Sequence, residues 1–264
     1  MKVNNLEFNI GKMDTVHSKR ETEFLPILQE TYPHATVAET LDNRQLLFVD
    51  NGKSTLGIAH LDGTMPAQHF FFGRRRNRPG DIIIMSPFVD DRLGAYTLID
   101  LLPQVGIECD LLFTVGEEMG MSTGEDFTPP RQYNWMFQFD RMGTDVVHYQ
   151  YRNDNWLTAI EKHFPEVERG LASDISKMSH MQCQGMNIGT GYHDYTGYNA
   201  WASLLELSGM VHKFKKFYDE FKDTPFLTAE GKPRAAGSEW EEYFRPSVSR
   251  SRRAIKAKIN LDDK

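Results

Sequence analysis

The sequence predicts an α/β domain, a three-layer sandwich in which helices flank a central twisted, mostly parallel sheet. Three observations carry this. Short apolar runs recur at Leu46 to Val49, Leu56 to Ala59, Ile82 to Met85, Leu111 to Val115 and Trp135 to Phe139, with the length and composition of buried strands. Stretches of helical period lie between and after them, and strands alternating with helices give a parallel sheet covered on both faces. Acidic or imidazole side chains follow the apolar runs, as expected where the carboxyl edge of a parallel sheet meets a ligand.

In chain order, Ser18 and Glu21 have capping-box spacing before Phe24, Leu25, Ile27, Leu28 and Tyr32, which predicts an N-terminal helix with Pro26 as a blemish. The run Arg74, Arg75, Arg76, Arg78 precedes Pro79-Gly80 and reads as a solvated loop between two strands. Asp91 to Leu102 places Leu93, Tyr96, Leu98, Leu101 and Leu102 at helical spacing. A second helix is expected from about Ala200 to Phe221, with Trp201, Leu204, Leu205, Val211, Phe214, Tyr218 and Phe221 as its buried stripe. No repeat or long Gly/Ser linker occurs between residues 1 and about 225, so residues 1–264 are expected to form one domain. Residues 222–264, with Pro225, Pro233, Pro246 and a basic run, read as a peripheral extension.

At 264 residues and 40% hydrophobic content, the chain is long enough to bury a full core. A formal net charge of -7 gives no general reason to expect nucleic acid or an anionic membrane as partner. The opening thirty residues lack an uninterrupted apolar stretch, so neither a signal peptide nor a membrane span is expected, and the location expected is cytoplasmic. Cys109 and Cys183 are far apart in sequence, which removes a disulfide framework or a thiolate zinc site. Any metal must then be held by His and carboxylates.

His60 and Asp62 follow one apolar run, Asp90 and Asp91 another and Glu117 and Glu118 a third, while Asp140 ends a fourth. Six carboxylates crowded at one edge would repel by several kcal/mol in a low-dielectric cleft unless cations or protons neutralise them. A divalent metal is the economical solution, and imidazole plus carboxylate suits zinc, with manganese or cobalt as alternatives. The competing reading of any single pair is a cap at a helix or strand end, which Asp91 before a helix could be.

The segments Ala59-His60-Leu61-Asp62, Asp90-Asp91-Arg92-Leu93-Gly94, Gly116-Glu117-Glu118-Met119-Gly120 and Phe139-Asp140-Arg141 resemble, in order and spacing, the motifs of the co-catalytic zinc exopeptidases. The likeness is to small zinc aminopeptidases without a lid domain. It extends through Ser173-Asp174-Ile175-Ser176 and Asn187-Ile188-Gly189-Thr190-Gly191-Tyr192. The resemblance implies one or two zinc ions. His60 and Asp140 would bind one ion, Glu118 the other, and Asp90 would bridge them, with the Asp90-Asp91 peptide commonly cis in the superfamily. Asp62 would fix the His60 tautomer. Glu117 would be the general base in hydrolysis of a peptide or amide bond by metal-bound hydroxide. The implied substrate is a peptide losing its N-terminal residue, or an N-acyl amino acid, in an open cleft shaped by loops near Gly63 to Arg78 and Gly120 to Arg131; dipeptidase and carboxypeptidase activities stay open as well, since loop contacts set specificity.

One position departs from the pattern. The superfamily supplies a late His to the zinc held by Glu118, and ungapped reading from Asn187 puts Thr196 there, with Ala200 at a nearby position expected to be Glu. Three readings stay open. His193 reaches the metal through a reshaped Gly191 to Gly197 loop; or one zinc is held tightly and the second weakly or not at all; or the chain is a catalytically inactive binding module on a peptidase fold. His180 is the reserve ligand, and His17, His34, His69, His148, His163 and His212 are expected at surface or half-buried positions. A serine or cysteine hydrolase is disfavoured by the lack of a Gly-x-Ser-x-Gly elbow, a glycosidase because it leaves His60 and Asp62 unexplained, and a nucleotide-binding site for want of a Gly-rich strand-to-helix loop.

Overall fold

The structure, a computed structural model, describes residues 1–228 except 41, 79 and 195–198. The hairpin β1 (Lys2–Val3) and β2 (Leu6–Glu7) opens the chain, followed by α1 (Ile10–Ser18) and α2 (Glu21–Thr31). Next come β3 (Thr36–Glu39), β4 (Gln45–Val49), β5 (Thr55–His60), β6 (Phe71–Arg74) and β7 (Ile82–Met85). Helix α3 (Val89–Tyr96) continues through a π-helical stretch (Thr97–Leu101) into α4 (Leu102–Gln104). Then follow β8 (Asp110–Thr114), β9 (Trp135–Arg141), β10 (Val146–Val147), α5 (Asp154–His163), β11 (Val167–Glu168), α6 (Asp174–Lys177) and β12 (Gln184–Gly189). Strands β13 (Tyr192–His193) and β14 (Trp201–Ser203) lead into α7 (Leu204–Phe221).

Eight strands form the main sheet in the order β11-β10-β12-β9-β5-β8-β4-β3. Its centre, β12-β9-β5-β8, is wholly parallel, with antiparallel pairings at β10-β12, β8-β4 and β4-β3. This is the expected α/β architecture, with a mostly parallel core in a mixed sheet. Alternation along β9 sorts its side chains between two layers. Phe137 and Phe139 lie against Phe214 of α7, at ring separations of 4.5 and 5.2 Å, and Trp135 meets Phe217 at 5.2 Å. On the opposite face Gln138 donates to Asp174 of α6. His60 and Asp140, at the ends of β5 and β9, share the Gln138 face by the same alternation, through the pairing of Ile58 with Gln138.

Several expectations need correction. Ile82–Met85 is a strand, but it belongs to a separate four-stranded antiparallel sheet, β13-β14-β7-β6, in which Ile84 is the one fully buried member of the run. Asp90 and Asp91 are therefore delivered by the start of α3 rather than by a main-sheet strand. The expected N-terminal helix is α2, with Pro26 inside it, and a further helix, α1, precedes it; the capping bond runs from Arg20 N to Glu23 Oε2 at 3.0 Å instead of joining Ser18 and Glu21. The last helix starts at Leu204, because Trp201–Ser203 is spent on β14. Ser203 Oγ caps α7 by accepting from Glu206 N at 3.1 Å. The arginine run lies on the β6-β7 hairpin as expected. The expectations for Thr196, for the proline-rich and basic stretch beyond residue 228 and for the domain extent as far as residue 264 lie outside the described residues. No helix among the described residues is long and apolar enough to cross a membrane.

Candidate metal centre

The site is built at the carboxyl edge of the three adjacent parallel strands β9, β5 and β8. His60 ends β5 and is fully buried. Its Nε2 lies 3.2 Å from Asp90 Oδ1, 3.5 Å from Asp140 Oδ1 and 3.8 Å from Glu117 Oε2. On its other side, Nδ1 is 3.2 Å from the Asp62 main-chain oxygen and 3.5 Å from Asp62 Oδ1. A proton on Nδ1 shared with these oxygens leaves the Nε2 lone pair facing the carboxylates, the tautomer a metal ligand requires. The Asp62 carboxylate also accepts from Glu117 N and Glu118 N, at 3.3 and 3.2 Å, so one side chain ties the β5 loop to the loop after β8.

That second loop turns at Gly116, where φ is +85° and an added Cβ would fall 2.5 Å from the Met121 carbonyl oxygen. A side chain there would displace Glu117 and Glu118. The third contribution enters with α3. The Asp90-Asp91 peptide is cis, both residues have non-helical backbone angles, and the regular helix starts after them. Asp91 Oδ1 accepts from Gly94 N at 3.1 Å, so the capping role considered for Asp91 is real. Gly94 lets the helix come down on the sheet: a Cβ there would stand 2.2 Å from the Phe139 carbonyl oxygen, one residue before Asp140.

His60, Asp91 and Asp140 each offer a ligand atom within 4.8 Å of the others. Asp91 thus stands with the cluster beside Asp90. Two carboxylate oxygens, Asp91 Oδ2 and Glu118 Oε1, are buried without a hydrogen-bond partner among the described residues. Asp140 is held by Asn187, whose Nδ2 donates to Asp140 Oδ2 at 3.2 Å and whose Oδ1 accepts from Asp140 N at 2.9 Å. Asp90 Oδ2 accepts from the Tyr192 hydroxyl at 2.8 Å.

The electrostatics follow from crowding. Burial, then the charges of Asp90 and Asp91, pushes Asp140 well above the usual carboxylate range. Asp91 is pushed up likewise, by burial first. Burial raises Glu117 and Glu118 to about 7. Burial disfavours a charged His60, but Asp140, Asp62 and Asp90 outweigh it and hold the imidazolium well above its ordinary range. Asp90 is lowered: burial opposes ionisation there, and the His60 partner prevails. A cluster in which Asp91, Glu117, Glu118 and Asp140 hold protons more tightly than usual and the imidazole gains one lacks positive charge.

Of the residues selected from sequence, His60, Asp62, Asp90, Glu117, Glu118 and Asp140 converge. His193 does not join them. Its Nε2 lies 2.8 Å from Glu206 Oε2 and its ring stacks on Trp201 at 4.3 Å. Tyr192 and His193 are successive strand residues and point to opposite sides, so the strand that turns Tyr192 inward turns His193 away. His180 bonds the Phe127 carbonyl oxygen at 2.9 Å and stands outside the cluster. His17 is fully buried rather than superficial, and burial lowers it to about 4. Asn187, Asp174 and Tyr192 were assigned no role from sequence, although all three lie in segments that carried the resemblance. Asp174 is fully buried beneath the site and accepts from Thr114 Oγ1 and Gln138 Nε2, each at 2.9 Å, and from Ser122 Oγ.

Neither a protein-family model nor a curated protein matches the chain. Solved structures do. An aminopeptidase PepT from Bacillus cereus is similar over 80% of this chain and 97% of its own, with 11% identity and a TM-score of 0.59. A tripeptidase from Staphylococcus aureus covers 79% and 96%, with 10% identity and a TM-score of 0.59. A TET aminopeptidase from a marine-sediment archaeon covers 84% and 97%, with 14% identity and a TM-score of 0.53. At these identities the likeness is one of fold. The chain has the α/β fold of these aminopeptidases, and the resemblance read from its motifs holds at that level.

Proposed function

We propose that the chain is a zinc-dependent peptidase that releases the N-terminal residue of a peptide. The observation that carries this reading is the cluster itself: four carboxylates face one buried imidazole, and Asp91 Oδ2 and Glu118 Oε1 have no donor among the described residues. Such a donor set suits a divalent cation, zinc before manganese or cobalt. His60, Asp140 and the Asp90-Asp91 pair would hold it, with Glu118 beside them. A bound cation supplies Lewis acidity, polarising a peptide carbonyl and acidifying water.

The chain's own residues do the rest. Glu117 stands 3.8 Å from His60 and can take a proton and return it to the leaving amine. Asp62 orients His60 and fixes the two glutamates through their main-chain N–H groups, and Asn187 fixes Asp140. Peptidase neighbours of the same fold support a peptide substrate, with an N-acyl amino acid as the other candidate. Two buried free cysteines are compatible with a reducing compartment, and the cytoplasm is the proposed location.

Cleavage of a panel of aminoacyl reporter amides tests the reading. Replacing Glu117 by Gln should lower kcat by roughly 10²- to 10⁴-fold, the usual worth of a general base, while metal content stays unchanged. The second reading, an inactive binding module, draws on His193 being committed to Glu206. It predicts no cleavage by the metal-loaded wild type across the whole panel, and that outcome would remove the enzyme.

A further inference from the structure

The two oxygens of Asp90 face different groups. Oδ1 looks toward His60 Nε2 at 3.2 Å, whereas Oδ2 takes a hydrogen bond from the Tyr192 hydroxyl at 2.8 Å. In a centre bridged by Asp90, that second oxygen would serve the second cation. Tyr192 is buried, with 3% of its surface exposed, and several features fix its backbone. It pairs with Ala202 across the small sheet, its carbonyl oxygen accepts from Gly143 N at 2.9 Å, and the left-handed Gly191 precedes it.

The imidazole that could complete a second site is engaged elsewhere. Glu206 binds His193 at 2.8 Å, Arg75 at 2.6 Å and Arg78 at 3.2 Å, and Arg75 lies over the Trp201 ring on which His193 stacks. To reach Asp90, His193 would have to reverse the facing of β13, leave Glu206 and expel Tyr192 from its buried place. Among the described residues, the group left for a second cation on that side is the Glu118 carboxylate, and a phenol already sits on the shared oxygen. The phenol takes one of the two lone-pair sites of Asp90 Oδ2 and fills the space beside it, so a cation there has to displace the hydroxyl or crowd against it.

We propose that this centre is mononuclear: one divalent cation binds at His60, Asp140 and the Asp90-Asp91 pair, and the Tyr192 hydroxyl holds the far side of Asp90 against a second cation. The proposal rests on the metal-dependent reading above and adds the stoichiometry and the residue that sets it. Glu118, left without a metal, keeps a buried carboxylate oxygen facing the site, and a substrate's free amino group has the complementary charge and donors.

The test is the number of cations bound, read without any activity. Purified chain is stripped with chelator and titrated calorimetrically with zinc, and metal per chain is then measured by elemental analysis after desalting. One equivalent in the wild type is the expected result, and two would overturn the proposal. No binding would overturn the metal-dependent reading itself, a distinguishable failure. Tyr192→Phe removes only the hydroxyl and should add a second, weaker equivalent, because Asp90 Oδ2 and Glu118 Oε1 are then both free to bind. If Tyr192→Phe has an unchanged circular dichroism spectrum and still binds one, the role given to Tyr192 is wrong. Cobalt(II) gives an independent readout: the wild-type electron paramagnetic resonance signal should rise to one equivalent and stay undiminished, whereas loss of intensity from a spin-coupled pair would overturn it.

Discussion

The two flanks of Asp90 are built by different kinds of structure. On the His60 flank, side chains issue from the ends of adjacent parallel strands, whose spacing and facing are set by the main-sheet ladder. His60 and Asp140 must then meet, because both lie on one face of neighbouring strands. On the Tyr192 flank, the residues come from a two-residue strand in a small antiparallel sheet, held by a ladder of two pairs and by the contacts of Glu206. A parallel-sheet edge is a rigid dispenser of ligands. A short hairpin places a side chain on either side according to a one-residue choice of register.

The rigid flank should be the sensitive one. Asp62→Ala removes the carboxylate that faces His60 Nδ1 and receives the Glu117 and Glu118 N–H groups. Loss of such an outer partner costs metal affinity by about 10- to 100-fold. Zinc competition against a chromophoric chelator measures it, and an affinity within about twofold of wild type, well below that usual range, would show that the main-chain oxygen of Asp62 suffices to hold the ring.

The same flank predicts a pH dependence. Burial raises the carboxyls of Glu117 and Glu118 to about 7 in the fold, above their ordinary range near 4.5. A group raised on folding stabilises the native state below its unfolded value, and that contribution is lost as pH rises through about 7. The metal-free protein therefore weakens between pH 4.5 and 7, as charge accumulates in the cluster. A bound cation offsets this charge and competes with protons for the same oxygens. The rise in Tm on adding zinc should accordingly be larger at pH 7.5 than at pH 5. Equal shifts at both pH values would mean that the cation binds away from these carboxylates.

The difference between the flanks also explains what could be read from the sequence. His60, Glu117, Glu118 and Asp140 were legible because each ends, or closely follows, an apolar run long enough to be a core strand. Ile82–Met85 looks the same as those runs, and nothing local tells which sheet a four-residue strand will join; only packing separates β7 from β5. Asp90 and Asp91 stand at the same edge for a different reason than the apolar run before them suggests, since a helix start presents them. The start of α7 was readable: Ser203 and Glu206 have capping spacing, yet the apolar stripe including Trp201 drew the boundary too early. The facing of His193 was not readable. A strand of two residues has no period, and the partner that fixes it, Glu206, lies on another element.

The smallest effect expected is at His193. If the hairpin flank holds no cation, His193→Ala leaves zinc affinity within about twofold of wild type, since no ligand and no partner of a ligand is removed. Its cost falls on Glu206, which keeps Arg75 and Arg78, and on the stacked face of Trp201. With His193 30% exposed, loss of this partly solvated pair should lower stability by no more than about 1 kcal/mol, read from urea denaturation of the metal-free chain. A drop in zinc affinity of about tenfold or more, the size expected for a ligand or its direct partner, would mean that β13 turns over on metal binding. Tyr192 would then leave Asp90 as His193 arrives, and the hairpin flank would hold a cation beside the one at His60.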